Sequence, residues 1–319
     1  MIKAINPSSV RHRRFLVLIG AICTLLLLAS TESQVASSYA RSRKTGSWGS
    51  EAVANALKGK CTLMLLTYDR GNLLSQLEHY QNWAFLDRIL VVWNHQTLNP
   101  NFTVSQDLLP DDAHNDLADG SNPIRFKVVV RILQQPRNSL NNRFQPFPEI
   151  RTHCVISLDD DYLIPAASQQ QLVDAFYNGN TDRIVGYEKM ARTHAPVGDK
   201  MWEYRGDADV RGASIALPSG SVFHRKYLEM YTHALPVLAR ETVDMILNGE
   251  DILLNMMIAN ATGKPPLIVN ATMGEDGAGE KGNATGLWLR PGHKEARSWA
   301  LTAFTHLVFG RMPLVTNQS

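Results

Sequence analysis

The sequence predicts an α/β fold in which a mostly parallel central sheet carries helices on both faces. Three observations lead to it. Short runs rich in β-branched residues alternate with segments of helical period. These runs are apolar throughout rather than at every second position, as strands buried on both faces are. Acidic residues gather at their ends, and VISL (155–158) closes directly on Asp159, Asp160 and Asp161. In open sheets of this kind ligands bind outside the carboxyl ends of the strands, near the switch in strand order.

The elements follow in order. CTLMLLTY (61–68) reads as a buried parallel strand. Leu73, Leu74, Leu77, Tyr80 and Trp83 then recur at helical spacing over 72–85. DRILVVWN (87–94) is a second strand, and 95–124, rich in Asp, Asn and Pro, a long surface loop. RFKVVVRIL (125–133) and HCVISLDDD (153–161) are the third and fourth strands, and DRIVGYE (182–188) the fifth. Residues 213–231 read as a strand pair followed by a helix. GEDILLNMMIANATG (249–263) is a helix with a glycine stop, KPPLIVNAT (264–272) a last strand, and ARSWALTAFTHLVFG (296–310) a closing helix.

Composition bounds the class. With 319 residues, 44% hydrophobic and 19% charged, the chain is globular and not disordered. Three cysteines exclude a disulfide-dense scaffold. A formal net charge of +2 gives no case for a nucleic-acid partner. That figure is the sum of a basic leader and an acidic body, because residues 1–44 hold seven cations and one acid.

The leader is informative about location. Residues 15–31 are uncharged and mostly apolar, behind Arg11, Arg13 and Arg14. This run sits at the lower limit for spanning a bilayer, and the preceding cations favour a cytoplasmic amino terminus. The expected organisation is a cytoplasmic tail (1–14), a signal-anchor helix (15–31), a stalk (32–58) and a lumenal domain (59–319). A cleaved signal peptide remains the alternative, since small residues that suit cleavage follow the run. N-x-S/T triplets occur at Asn101, Asn260, Asn270, Asn283 and Asn317. Asn260 and Asn270 lie in apolar stretches, a setting that points to burial, so Asn101 and Asn283 are the better glycan acceptors. Cys61 and Cys154 each begin a strand-like run. They form a disulfide if those strands are parallel neighbours, and are otherwise two buried thiols.

Four segments carry the chemistry. Three carboxylates at one strand end repel one another and need solvent, hydrogen bonds or a cation. A divalent ion that joins one or two carboxylates to substrate phosphates suits them. Asn248-Gly249-Glu250-Asp251 opens a helix, where the acids either complement the helix dipole or serve the end of the pocket that holds a sugar. In GLWLRPGHKEARS (286–298), His293 and Arg297 share a helix face, where they either bind a diphosphate or extend into solvent. In the polar loop 136–149, Asn138 and Arg143 are within reach of a nucleotide, and Arg70 after the first strand has a similar position. Gly277, Gly279 and Gly282 match a dinucleotide-binding spacing, but without the strand and helix that the motif requires.

Taken together, TYDRGNLL (67–74), RILVVWN (88–94), NNRFQPFPEI (141–150), VISLDDDYLI (155–164), RIVGYE (183–188), GEDILLNMMIA (249–259) and GLWLRPGHKEARS (286–298) resemble, in order and spacing, the exostosin-like transferases of glycosyltransferase family 64. The resemblance covers about residues 60–310 and is nearest to the small single-domain members of plant type.

It implies a GT-A type nucleotide-sugar transferase fold, a retaining reaction, dependence on Mn2+ and a single-pass type II Golgi membrane protein. By the same resemblance, Asp161 is the metal ligand, and Asp159 and Asp160 contact the sugar and ribose. Thr67, Arg70, Asn94, Asn138 and Arg143 contact the nucleotide. Asp251 lies by the anomeric carbon, and His293 and Arg297 by the diphosphate. The donors among relatives are UDP-N-acetylhexosamine and GDP-mannose, and the acceptors are glycans or sphingolipids. A homo- or hetero-oligomer is compatible with this class.

Two departures stand out. Cysteines of the animal member are replaced by Gly249 and Ala300, so the family disulfide between them is absent, and Trp299, Phe304 and Leu307 must hold the last helix by packing. The acidic pair is Glu250-Asp251 rather than two aspartates. The competing expectation is a catalytically inactive, membrane-tethered scaffold subunit, which would need neither Asp251 nor Arg297.

Overall fold

The computed structural model describes residues 57–68, 71–95, 107–108, 126–206, 210–273 and 290–317. They fall in one compact unit. The leader, the stalk, Arg70, Asn101, Asn283 and the glycine-rich stretch 274–286 lie outside the described residues.

The central sheet has eight strands. In chain order they are β1 (Cys61–Thr67), β2 (Leu86–Trp93), β3 (Asp107–Leu108), β4 (Val129–Gln134), β5 (Cys154–Asp159), β6 (Val185–Tyr187), β10 (Ser221–His224) and β11 (Leu267–Val269). Their order across the sheet is β11-β6-β10-β5-β1-β2-β4-β3. β10 runs antiparallel to β5 and β6, and β3 antiparallel to β4, while the other pairs are parallel. The mostly parallel α/β sheet expected from the apolar runs is thus observed.

All seven residues of β1 are buried, as its unbroken apolar run requires of a central strand. The chain proceeds from β1 outward to β2 and β4, then returns to place β5 on the other side of β1. This switch in strand order opens the crevice at the carboxyl ends of β1 and β5.

The helices cover both faces. α1 (Leu73–Tyr80) and α2 (Ala166–Tyr177) pack with Leu63, Leu65, Ile156 and Leu158 in one core. The opposite core contains Met64, Leu66, Val155 and Phe223 with α3 (Lys226–Glu229), α4 (Val237–Ile246), α5 (Glu250–Thr262) and α6 (His293–Phe304). α5 is buried along its first ten residues, which is why its sequence is apolar on every side. A small antiparallel sheet of β7 (Ala191–Val197), β8 (Met201–Arg205) and β9 (Ile215–Ala216) packs on α6, where Ser298 and Thr302 accept from the backbone N–H groups of Tyr204 and Trp202.

Several expectations change. α2, α4 and the β7–β8 hairpin occupy segments to which the sequence pattern assigned no element, because their apolar periods are short and interrupted by polar residues. The third strand begins at Val129 rather than residue 125, and α6 at His293 rather than 296. Asn260 and Asn270 are exposed rather than buried, since the first lies on the last turn of α5 and the second beyond β11. Asn317 is exposed as well. Phe304 is buried and Trp299 packs against the core, but Leu307 points outward at 38% exposure, so it does not hold the last helix.

The open question about the cysteines is decided by register. Cys61 and Cys154 are direct partners on β1 and β5 and form a disulfide at the end of the sheet opposite the crevice. Among the described residues no helix is long and apolar enough to cross a membrane.

Candidate active site

The site is built on the carboxyl ends of β1, β2, β4 and β5. The acidic triplet is not a solvated turn, for each of its first two carboxylates has protein partners. Asp160 is 3% exposed and accepts from the Thr67 hydroxyl at 2.6 Å. Asp159 accepts from Arg143 Nη2 at 2.5 Å and from the Ser219 hydroxyl. The side chains therefore part to opposite walls, which relieves the repulsion inherent in the sequence. Asp161, half-buried, follows at the rim. The amide of Asn72, at the start of α1, holds the Asp160 carbonyl at 2.8 Å.

Ser219 reaches Asp159 from the turn before β10. Gly220 in that turn has φ +77°, and a Cβ there would lie 2.6 Å from the Tyr187 ring, so the close approach requires glycine.

The nucleotide side is an amide network. Asn94 is buried, donates to the Ser139 carbonyl at 2.9 Å and to Asn138 at 3.2 Å, and accepts from Asn142 at 2.8 Å. Asn138 stands exposed on the loop that this network braces. Asp244 of α4 anchors the same loop by accepting from Ser139 and Asn141. A polar cavity of about 230 Å3, lined by Gln135, Arg137, Asn142 and Arg240 among others, lies beside it.

The far side is the start of α5 and α6. Gly249 caps α5 in the left-handed region, and a Cβ placed on it would stand 3.0 Å from Ala300 Cβ. The two positions that carry cysteine in the animal member are thus neighbours here, joined by packing alone. Asp251 accepts from Arg297 Nη2 at 2.5 Å, and both side chains are buried. Arg297 Nη1 donates to Asn248 at 3.1 Å, and Asn248 Nδ2 lies 3.1 Å from His293 Nδ1. The Arg297 guanidinium sits 4.3 Å over the Tyr204 ring. Asp251 and Arg297 are therefore an internal pair, neither a solvated helix cap nor a surface cation.

Arg143 ties the two sides together. It is 4% exposed, holds Asp159, and its Nε lies 3.6 Å from Glu250. Burial opposes its charge, but Asp159 and Glu250 outweigh burial and keep it firmly protonated. Arg297 is held protonated in the same way, chiefly by Asp251 against burial. Glu250 goes the other way. Burial first, and then Asp251, raise its carboxyl to about 7 despite the two arginines.

The structure thus brings together Thr67, Asn94, Asn138, Arg143, Asp159, Asp160, Asp161, Asp251, His293 and Arg297 around one crevice. Arg70 is outside the described residues. The sequence reading missed Ser219, Asn72, Asn142 and Tyr204. The Pro218-Ser219-Gly220 turn was a usable signal for the first; the others carry no pattern of their own.

Metal fit follows from the donor set. Among the described residues no group of three or more His, Cys, Asp or Glu side chains is arranged to hold an ion. Arg143, Ser219 and Thr67 already engage two of the three aspartates. A hard divalent cation would be held through Asp161, at the rim, and would take its remaining ligands from substrate phosphates and water.

A switch-point crevice that gathers an acidic strand end and two buried, carboxylate-paired arginines has the charge pattern of an enzyme active site. The family model described as "Glycosyl transferase family 64 domain" matches residues 61–319, and the chain belongs to that family of glycosyltransferases. Glycosylinositol phosphorylceramide mannosyl transferase 1 of Arabidopsis thaliana is 32% identical over 278 residues, covering 83% of this chain and 77% of that protein. Exostosin-like 2 of Homo sapiens is 31% identical over 265 residues, covering 79% and 74%. The Exostosin-like-3 homolog of Caenorhabditis elegans is 34% identical over 216 residues, and the alignment spans 67% of this chain but only 23% of that longer protein.

Proposed function

We propose that the chain transfers a hexose or N-acetylhexosamine from a nucleotide-sugar donor, UDP-N-acetylhexosamine or GDP-mannose, to a glycan or glycolipid acceptor. The reaction retains configuration, uses Mn2+, and takes place in the Golgi lumen on a type II membrane protein. The observation that carries this reading is the buried link Asp159–Arg143–Glu250, which places the acidic strand end beside the Asp251–Arg297 pair. The plant relative, a glycosylinositol phosphorylceramide mannosyl transferase by name, supports mannose as the sugar and an inositol phosphorylceramide lipid as the acceptor.

In this mechanism Asn94 and Asn138 orient the nucleotide, and Asp159 and Asp160 orient the ribose and sugar. Asp161 would hold the cation, which when bound supplies Lewis-acid neutralisation of the leaving diphosphate. Arg297 and His293 donate hydrogen bonds to the same developing charge. Asp251 faces the anomeric carbon and stabilises its oxocarbenium character. The acceptor oxygen bonds to the anomeric carbon on the face that the diphosphate leaves, its proton passing to the departing phosphate oxygen, so configuration is retained.

The test is calorimetry and transfer with Mn2+ and a panel of nucleotide sugars, for the native chain and Asp161→Ala. The expected result is donor binding by the native chain and loss of metal-dependent transfer in the variant. Full activity in Asp161→Ala overturns the metal role, and no binding of any donor favours the inactive scaffold.

A further inference from the structure

Glu250 and Asp251 are adjacent on the first turn of α5, yet they serve different arginines. Asp251 is bonded to Arg297, and Glu250 lies against Arg143. Glu250 is 6% exposed, so its charge is removed from water. Around it stand Arg143 from the short 3-10 turn Leu140–Phe144, Asp159 from β5, Asp251 on its own helix and Arg297 from α6. The buried Tyr231, on the turn after α3, adds an uncharged hydroxyl that donates to Asn141. Three carboxylates thus face two guanidiniums. Arg143 Nη1, in the same buried cluster, has no hydrogen-bond partner among the described residues. Such an orphaned, charged donor in a crevice points to an anionic ligand.

A nucleoside diphosphate entering this cluster brings negative charge that one divalent cation on Asp161 would offset only in part, where carboxylates already outnumber guanidiniums. Protonating one carboxylate restores the balance, and Glu250 is the one with the weakest compensation, facing Arg143 at 3.6 Å where Asp251 and Asp159 face theirs at 2.5 Å. We propose that Glu250 is a positioning residue that takes up a proton from solvent when the donor binds, leaving the Arg143 guanidinium to Asp159 and the nucleotide. The raised carboxyl, about 7 by burial and by Asp251, puts this exchange in the neutral range. The inference rests on the nucleotide-sugar reading above. It goes beyond that reading by assigning a role to Glu250 and a pH dependence to donor affinity.

The experiment uses the full chain with UDP and GDP as probes in the presence of MnCl2. Calorimetry at pH 7.5 in two buffers of different ionisation enthalpy counts the protons exchanged. The native chain takes up a substantial fraction of one proton more than Glu250→Gln, a comparison that cancels the proton chemistry of the nucleotide itself. Dissociation constants of the native chain rise by about tenfold from pH 6 to pH 8, as one unit charge near the ligand dictates at an effective dielectric constant of ~20. Those of Glu250→Gln stay flat relative to the native chain. Glu250→Asp retains a pH dependence but a shallower one, because the shortened side chain retreats from Arg143.

Equal proton uptake by the native chain and Glu250→Gln overturns the proposal. Failure of both nucleotides to bind overturns the donor reading, and the coupling with it. In that case urea unfolding still reports on the proton. The native chain loses stability relative to Glu250→Gln as pH rises from 5.5 to 8, by up to about tenfold in the unfolding constant per pH unit below 7. An unchanged ratio shows that Glu250 holds no such proton.

Discussion

Arg297 reaches from the second turn of α6 to Asp251 on the first turn of α5, Nη2 to Oδ2 at 2.5 Å, with the Tyr204 ring packed beneath the guanidinium. The start of α5 packs along α6, with Gly249 against Ala300 and Phe304, so this buried pair also helps to close the fold.

Breaking the pair one-sidedly should therefore cost stability as well as turnover. Arg297→Ala leaves Asp251 buried and uncompensated, a loss of about 3–5 kcal/mol. Arg297→Met combined with Asp251→Leu should regain most of that stability but no transfer. Urea unfolding with activity on the same samples checks this; a double variant as unstable as the single one shows that the charge is not the cause.

The disulfide should matter to stability and not to the site. It closes a separation of 93 residues, for which the chain-entropy relation gives about 4–5 kcal/mol. The β1 strand carries the crevice roughly 20 Å away at ~3.3 Å per residue. Reduction with dithiothreitol should lower the urea midpoint and leave the nucleotide dissociation constant unchanged at low denaturant.

Gly220→Ala should unfold locally what it touches. The added Cβ meets the Tyr187 ring and Ile164 Cδ1, and φ is +77°. A loss of ~2 kcal/mol or more follows from overpacking and the left-handed backbone. Because Ser219 is the preceding residue, donor affinity should fall with it; thermal melts and nucleotide titration read both effects.

Acid stability should depend on two histidines. Burial lowers His194 to about 4, and burial followed by His153 lowers His224 to about 4. Each is neutral in the fold but protonates in the unfolded chain from about 6.5 downward, so stability is lost as pH falls from 6.5 to 4. Both are partly solvated, which limits the effect to roughly 1–2 kcal/mol each. His194→Gln should flatten the acid limb of the melting temperature against pH, and an unchanged limb shows that His194 does not titrate there.

The sheet was legible because β1, β2 and β5 are short, apolar runs with little competing pattern. α2 and α4 were not, since their buried residues are few and mixed with Gln, Ser, Thr and Arg, and their helicity comes from packing on the sheet. Within the site, Asp159–Asp161 and Glu250-Asp251 were visible as unusual charge beside apolar runs. Ser219, Asn142 and Tyr204 are ordinary residues until the turn before β10, the loop after β4 and the β7–β8 hairpin bring them in.

By itself the sequence determined the alternation of strands and helices, the acidic strand end, the family, and which charged residues are exceptional. Those are properties of nearest neighbours along the chain and of composition. Only the tertiary structure decided which charges pair: that Cys61 meets Cys154, that Asp159 and Asp160 turn to different partners, and that Glu250 and Asp251 face different arginines. Charges buried in a low-dielectric interior are governed by ångström distances between segments far apart in the chain, and those distances exist only once the sheet has assembled its register.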